Sequence, residues 1–155
     1  MHDSVRNYVT AWREKLSLKD LKTLEIGSLD VNGGVSDLFP NHTGTDFREG
    51  PGVDIVLNSW ELSKLNGTFD LVLWLETMEH DLKFWLTIDQ IRTVLNKGGI
   101  LIVTTRGINF PFHPHPKDYY RFTKQSFAEL FEGFKPLEIT DDLQFPGVFG
   151  VYQKL

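Results

Sequence analysis

Phe69-Asp70-Leu71-Val72-Leu73-Trp74-Leu75 is a strand with almost no polar side. A strand with one wet face alternates apolar and polar residues. Near-continuous apolarity instead marks a central strand covered on both faces, the normal condition in a parallel sheet. Asn66-Gly67 just before it is a turn signal. After it, Leu82, Trp85, Ile88, Ile91 and Leu95 recur at helical spacing. Lys97-Gly98-Gly99 is expected to close that helix, with a cation at its negative end and a glycine for a left-handed cap. Ile100 to Thr104 then forms the next strand.

The same alternation extends in both directions. Upstream, Val5, Val9, Trp12 and Leu16 predict an amphipathic helix, and Leu21 to Gly27 a short strand ending on glycine. A brief helix is expected from Gly34 to Phe39, closed by Pro40. Thr43 to Phe47 reads as a strand ending at an acid, and Val53 to Leu57 as a β-branched strand. Trp60, Leu62 and Leu65 suggest a short helix. Downstream, Gly107 to Phe122 is a long loop, and Thr123 is placed to cap a helix carrying Phe127, Leu130 and Phe131. Two strands near Leu137–Thr140 and Val148–Tyr152, joined by a few residues including Pro146-Gly147, form an antiparallel pair. The fold class is therefore α/β, a Rossmann-like open and mostly parallel sheet of about seven strands. An antiparallel last strand and helices on both faces complete it.

The chain of 155 residues suits one domain, residues 1–155, and shows no repeat, linker or low-complexity run. It contains no cysteine, which excludes disulfides and thiolate metal sites. The start Met1-His2-Asp3-Ser4-Val5-Arg6 lacks the basic and apolar regions of a signal peptide. Leu71 to Leu75 is too short to span a bilayer, so a soluble, cytoplasmic protein is expected. A formal charge of -5 argues against a long nucleic acid as partner, although Lys117, Arg121 and Lys124 make a local basic group.

In an open α/β sheet, ligands bind beyond the carboxyl ends of the strands. Two strand ends stand out. Glu25-Ile26-Gly27-Ser28-Leu29-Asp30-Val31-Asn32-Gly33-Gly34 provides glycines for close backbone approach. Asp46 follows Gly27 at the interval where an acid meets a ribose hydroxyl pair. The Gly-x-Gly-x-x-Gly pattern that seats a pyrophosphate is missing. S-adenosylmethionine needs no such seat, because it has an amino-acid tail and a sulfonium in place of phosphates. Glu25 is suited to compensate the ammonium of that tail. Each residue also has an ordinary reading, as a strand-end glycine or a solvated turn acid.

In this order, "TLEIGSLDVNGG", "GTDFREGPGVDIVLNSWEL", "FDLVLWLETMEHD", "LNKGGILIVTTRG" and "HPKDYYRFT" resemble the small type 11-like group of class I S-adenosylmethionine-dependent methyltransferases. The resemblance implies that Glu25, Gly27 and Ser28 line the methionine end of the cofactor, with Asn32 shaping the loop. It implies Asp46 on the ribose, Phe47 against the adenine, and Asn58, Ser59 and Trp60 completing the adenine site. Leu75 and Glu76 would lie near the sulfonium. The sequence departs from the family in two places. Leu29, Asp30 and Val31 stand where further glycines are usual, and Asn58 stands where an acid is common.

The acceptor side is expected in the loop after Thr104. Phe110, Phe112, Tyr119 and Tyr120 offer aromatic walls, and His113, His115 and Tyr119 are the catalytic candidates for taking a proton. Arg121 either meets an acidic substrate or pairs with a local acid. Pro114 and Pro116 equally suit a rigid connector. No metal site is expected, because no nearby acid or third histidine completes His113-Pro114-His115. His80 and Glu79 read as helix-start residues.

Three functions follow. The first is a methyltransferase acting on a small-molecule acceptor. The second is a non-catalytic cofactor-binding or partner subunit of the same fold, and the third an NAD-type oxidoreductase, disfavoured by the glycine pattern. A homo-oligomer stays open.

Overall fold

The computed structural model describes residues 1–155. Helix α1 (Asp3–Lys15) precedes β1 (Thr23–Ile26), β2 (His42–Asp46), β3 (Ile55–Val56) and β4 (Phe69–Leu75). Helix α2 (Phe84–Val94), β5 (Leu95–Arg106), α3 (Lys124–Leu130), β6 (Phe134–Asp141) and β7 (Gly147–Lys154) follow. The seven strands form one sheet in the order β3-β2-β1-β4-β5-β7-β6. The first five run parallel to one another, and β7 runs antiparallel to both β5 and β6. No helix is long and apolar enough to cross a membrane.

Strand β4 is central, as its composition requires. Leu71, Leu73 and Leu75 join one apolar cluster with Val5, Val9 and Trp12 of α1. Val72 and Trp74 join the other, with Ile88, Ile91 and Val94 of α2 and Phe127 of α3. The side-chain period of two thus sends alternate residues into separate cores. Strand β5 does the same, with Ile100 and Ile102 on one face and Leu101 and Val103 on the other. Burying one such side chain contributes about 1.5–3 kcal/mol, so these two strands are a major source of apolar stabilisation for both cores.

Several local expectations are corrected. The helix expected over Gly34–Phe39 is one 3-10 turn, Ser36–Leu38, between buried Val35 and Phe39. The strand over Val53–Leu57 shrinks to Ile55–Val56, both exposed at the sheet edge. Leu16 lies outside α1 and is exposed. Leu82 precedes α2, and Trp85 is 49% exposed. The buried stripe of α2 is Thr87, Ile88, Ile91 and Val94, which keeps Ile88 and Ile91 of the expected face and leaves Trp85 at its exposed margin. Lys97-Gly98-Gly99 caps no helix. It lies within β5, where the pairing with β4 jumps from Leu95 to Ile100 and Gly98 takes φ +78°. Thr123 does cap α3, its hydroxyl accepting from the Ser126 amide at 3.1 Å.

Arg106 ends β5 with 1% exposure. Its guanidinium pairs with Glu76, just after β4, and with Asp142 at 3.4 Å, between β6 and β7. Asp142 also accepts from Ser4 of α1 at 3.0 Å, and the His2 amide approaches Glu76 at 3.3 Å. Removing one partner from a buried ion group strands the others and costs about 3–5 kcal/mol. Arg106→Met should therefore lower the urea unfolding free energy by about that amount. The triple variant R106M/E76Q/D142N, which removes the stranded charges, should recover more than half of the loss.

Candidate functional site

The parallel strands end together, and their loops enclose a cavity of about 880 Å³. At the junction of β1 and β4 the chain leaves neighbouring strands by separate loops, and the cavity opens between them. Gly27 turns there at φ +75°, and a Cβ on it would lie 2.2 Å from the Thr77 hydroxyl oxygen. No other residue meets both requirements.

Every cofactor-side residue singled out in the sequence lines this cavity: Glu25, Gly27, Ser28, Asn32, Asp46 and Phe47 from the β1 and β2 ends, Asn58, Ser59 and Trp60 after β3, and Leu75 and Glu76 after β4. So do His113, His115 and Tyr119. The one cavity therefore gathers residues from five separate segments of the chain.

Their polar atoms are not equally free. Asp46 is buried and accepts the Arg48 amide on Oδ1 at 2.8 Å, which leaves Oδ2 without a protein donor. Phe47 is 52% exposed, with the Arg48 guanidinium 5.1 Å from its ring centre. Glu25 is buried, and its Oε2 lies 2.7 Å from Nε2 of His42, a partner that the sequence did not suggest. Ser28 donates its hydroxyl to the Gly52 carbonyl at 2.8 Å. Asn58 donates its side-chain amide to Glu61 at 3.0 Å, so it serves the start of the 3-10 helix Ser59–Lys64. Ser59 donates to Asp81 at 2.8 Å, and Thr87 donates to the same carboxylate. Asn32 offers its carbonyl to the amino terminus at 2.9 Å. Trp60 faces the cavity with the Lys83 ammonium 5.0 Å from its ring.

On the opposite wall, the loop after β5 folds back over the segment after β4. The Tyr119 amide donates to the Glu79 carbonyl at 2.9 Å, and the Tyr120 hydroxyl donates to the Leu82 carbonyl at 3.0 Å. Arg121 holds both oxygens of Asp118, which decides its role as partner of a local acid. Arg121 keeps the Asp118 carboxyl well below the usual carboxylate range. Lys124 is likewise paired, with Asp141 at 2.6 Å. The local basic group is thus largely neutralised.

Glu79 and His80 depart most from their sequence reading. They lie in a 3-10 turn, Met78–His80, rather than at the start of α2. Glu79 is fully buried, and burial pushes its carboxyl up to about 7 against the opposing Thr105 hydrogen bond. Burial lowers the pKa of both His80 and His113, and a nearby Asp118 opposes the shift in each. The two rings stand 4.7 Å apart. The acid and further histidine that seemed to be missing beside His113 are therefore supplied by the β4 side. The pattern Glu79-His80 was visible in the sequence, but nothing there placed it against His113. Thr77 also lines the cavity without any prior signal.

No family model and no curated protein matches the sequence. Solved structures do. The 1,6-didemethyltoxoflavin-N1-methyltransferase of Burkholderia thailandensis, with bound 1,6-didemethyltoxoflavin and S-adenosylhomocysteine, superposes with a TM-score of 0.79. Identity is 16%, covering 98% of this chain and 78% of that one. The N-methyltransferase NodS of Bradyrhizobium japonicum, in complex with S-adenosylhomocysteine, gives 0.71 at 15% identity, over 96% and 85% of the two chains. An S-adenosylmethionine-dependent methyltransferase of Clostridium acetobutylicum gives 0.73 at 9% identity, over 99% and 92%. At such identities the likeness is one of architecture: this chain has the class I methyltransferase fold.

Gly27→Ala places a side chain against Thr77 at a positive φ. It should destabilise the protein by about 1–3 kcal/mol in urea unfolding. Adding Thr77→Ala removes the colliding atoms and should recover only part of that loss, since the backbone strain persists.

Proposed function

We propose that this chain is an S-adenosylmethionine-dependent methyltransferase acting on a small-molecule acceptor. Residues 1–155 act in this reading as one cofactor-binding domain. The observation that carries it is the free carboxylate edge of Asp46 in a cavity at the strand ends of this fold. Asp46 Oδ2 receives the ribose hydroxyls, Phe47 and Trp60 flank the adenine, and the Gly27 loop takes the methionine end. Asn58 and Ser59 shape the adenine end through backbone and packing, because their side chains are engaged with Glu61 and Asp81. Glu25, Ser28 and Asn32 support the methionine side, while Leu75 and Glu76 lie beside the sulfonium.

Dinucleotide binding is disfavoured on physical grounds. A pyrophosphate is seated by the free amides and dipole at a helix start. Here β1 is followed by a three-residue 3-10 turn, Ser36–Leu38, too short to supply the aligned amides and dipole of a helix start. A sulfonium and an amino-acid tail make no such demand.

In the transfer, an acceptor lone pair attacks the methyl carbon and the sulfur–carbon bond breaks. The bonding electrons return to sulfur, leaving the neutral thioether of S-adenosylhomocysteine. The protein orients the two reactants and excludes water. An acceptor that loses a proton delivers it to one of His113, His115 and Tyr119 on the facing loop. A cavity of about 880 Å³ accommodates a nucleoside cofactor and a compact acceptor together. The formal charge of -5 and the paired basic residues favour such an acceptor over a long nucleic acid. The cytoplasm, where the cofactor is made, is the corresponding location.

A second reading is a cofactor-binding subunit without turnover of its own. Leu82, Trp85 and Leu86 favour it, as exposed apolar side chains beside the cavity. Complex formation with another chain, and no turnover alone against a broad acceptor panel, would select this reading.

Calorimetry with S-adenosylhomocysteine tests the cofactor site. Wild-type protein should bind one equivalent, and Asp46→Ala should weaken binding by about 1–3 kcal/mol. Absence of binding at saturating ligand would end the methyltransferase reading, whereas unchanged affinity in the variant would remove the ribose role of Asp46.

A further inference from the structure

The segment after β4 and the loop after β5 meet at a group of donor atoms that cofactor binding leaves unused. Glu79 Oε2 accepts from the Thr105 hydroxyl at 2.8 Å. Its Oε1 is buried and has no hydrogen-bond partner. His80 Nε2 stands 3.9 Å from Glu79 Oε1, and His113 Nε2 stands 4.0 Å from it. One donor atom from each of the three residues lies within 4.8 Å of the other two.

Both imidazoles are oriented from their far sides. His80 Nδ1 contacts the Lys117 carbonyl oxygen, and His113 Nδ1 lies 3.1 Å from Asp118 Oδ2. Those oxygens offer only lone pairs, so each Nδ1 carries the proton and each Nε2 presents a lone pair. Asp118 is fixed in turn by Arg121 and by the His113 amide at 2.8 Å. Three potential donor atoms converge on one space, and outer hydrogen bonds lock two of them; a proton held by Glu79 is displaced when a cation binds. Metal-ligating histidines are held in this way.

We propose that Glu79, His80 and His113 form a binding site for a divalent transition-metal ion. Two imidazoles and one carboxylate suit Zn(II), Co(II) or Fe(II), while Mg(II) and Ca(II) favour all-oxygen shells. Ligands bound at 2.0–2.1 Å in a tetrahedron are about 3.4 Å apart. The two Glu79–histidine separations of 3.9 and 4.0 Å close by about half an ångström, and the histidine nitrogens, within 4.8 Å of each other, close by up to about 1.4 Å. His80 and His113 both line the cavity, so the remaining coordination positions face it. An oxygen or nitrogen of a molecule bound there completes the shell. His113 then acts as a ligand, and proton transfer falls to His115 or Tyr119.

The test uses untagged, chelator-treated protein, with Zn(II) followed by calorimetry and Co(II) by visible absorption. One equivalent of each should bind, with Co(II) bands of a four- or five-coordinate nitrogen and oxygen shell. Glu79→Gln and His113→Ala should each weaken binding at least tenfold. His113 lies on a partly exposed loop, so His113→Ala tests the ligand set even where Glu79→Gln fails to fold. Asp118→Asn, which loosens the His113 ring, should weaken binding less than His113→Ala does. No binding of either ion at millimolar concentration, or binding that both ligand variants leave unchanged, overturns the assignment. S-adenosylhomocysteine titrated into the same samples separates the two readings. Cofactor binding without metal binding removes this site alone, and metal binding without cofactor binding removes the proposed function alone.

Discussion

A charged group buried at a strand end must find its counter-charges inside the protein, and Arg106 finds two, Glu76 and Asp142. Glu76 comes from the end of β4, Asp142 from the turn between β6 and β7, and Ser4 of α1 reaches Asp142 from the opposite face of the sheet. Burial lowers the guanidinium pKa, and the attraction of Asp142 opposes that shift, so the ion group holds its geometry only while all partners remain. Hydrophobic clusters on either face fix the sheet, but they do not specify where a polar strand-end loop goes. Arg106 does so for Glu76, and thereby for the turn carrying Glu79 and His80. The floor of the cavity is set from below by this one residue.

Above that floor, most polar side chains are already bonded to one another. Ser28 is tied to Gly52, Asn58 to Glu61, Ser59 to Asp81, and Asp118 to Arg121 and His113. Such groups give a wall its shape without offering a ligand new donors or acceptors, which limits the reorganisation that binding requires. Two acceptor atoms stand out against this background. Asp46 Oδ2 lacks a protein donor on the β2 side, and Glu79 Oε1 lacks one on the β4 side. A buried acceptor left unmet costs about 1–3 kcal/mol, so Glu79 Oε1 marks a place where a ligand relieves an existing penalty, while Asp46 Oδ2 is an acceptor open to one. They belong to two chemically different subsites of one cavity, suited to hydroxyl donors and to a cation.

The sequence made the sheet legible because a strand buried on both faces leaves a strong trace. Phe69–Leu75 was bounded correctly for that reason, and the antiparallel β6–β7 pair followed from its short connection. The first loop and Asp46 were also accessible, since strand ends in such a sheet face one crevice. Other features depended on contacts that no local pattern encodes. Trp85 fits the helical spacing of the buried face yet is exposed, because α2 packs on the sheet through Thr87, Ile88, Ile91 and Val94 and leaves its first turn at the margin. Ser59 and Asn58 matched cofactor positions by order, whereas their side chains are engaged within the protein. Glu79, His80 and His113 were visible as residue types. Their convergence depends on the loop after β5 folding back to bond the Glu79 carbonyl through the Tyr119 amide.

That backfolding also shapes the far wall of the cavity. The wall opposite the Asp46 side comes from a single segment that carries His113, His115, Pro116, Lys117 and Tyr119. Phe110 stacks edge-on with His113 at 4.9 Å and lies over the Arg106 guanidinium at 4.8 Å, so the base of this segment is packed against the buried ion group. Farther along, Tyr120 and Phe84 meet at 5.1 Å and anchor it to α2. The span between these anchors therefore closes over the cavity as a short, doubly fastened strap. His113, His115 and Tyr119 lie on this strap, so the fold holds them across the cavity from Asp46.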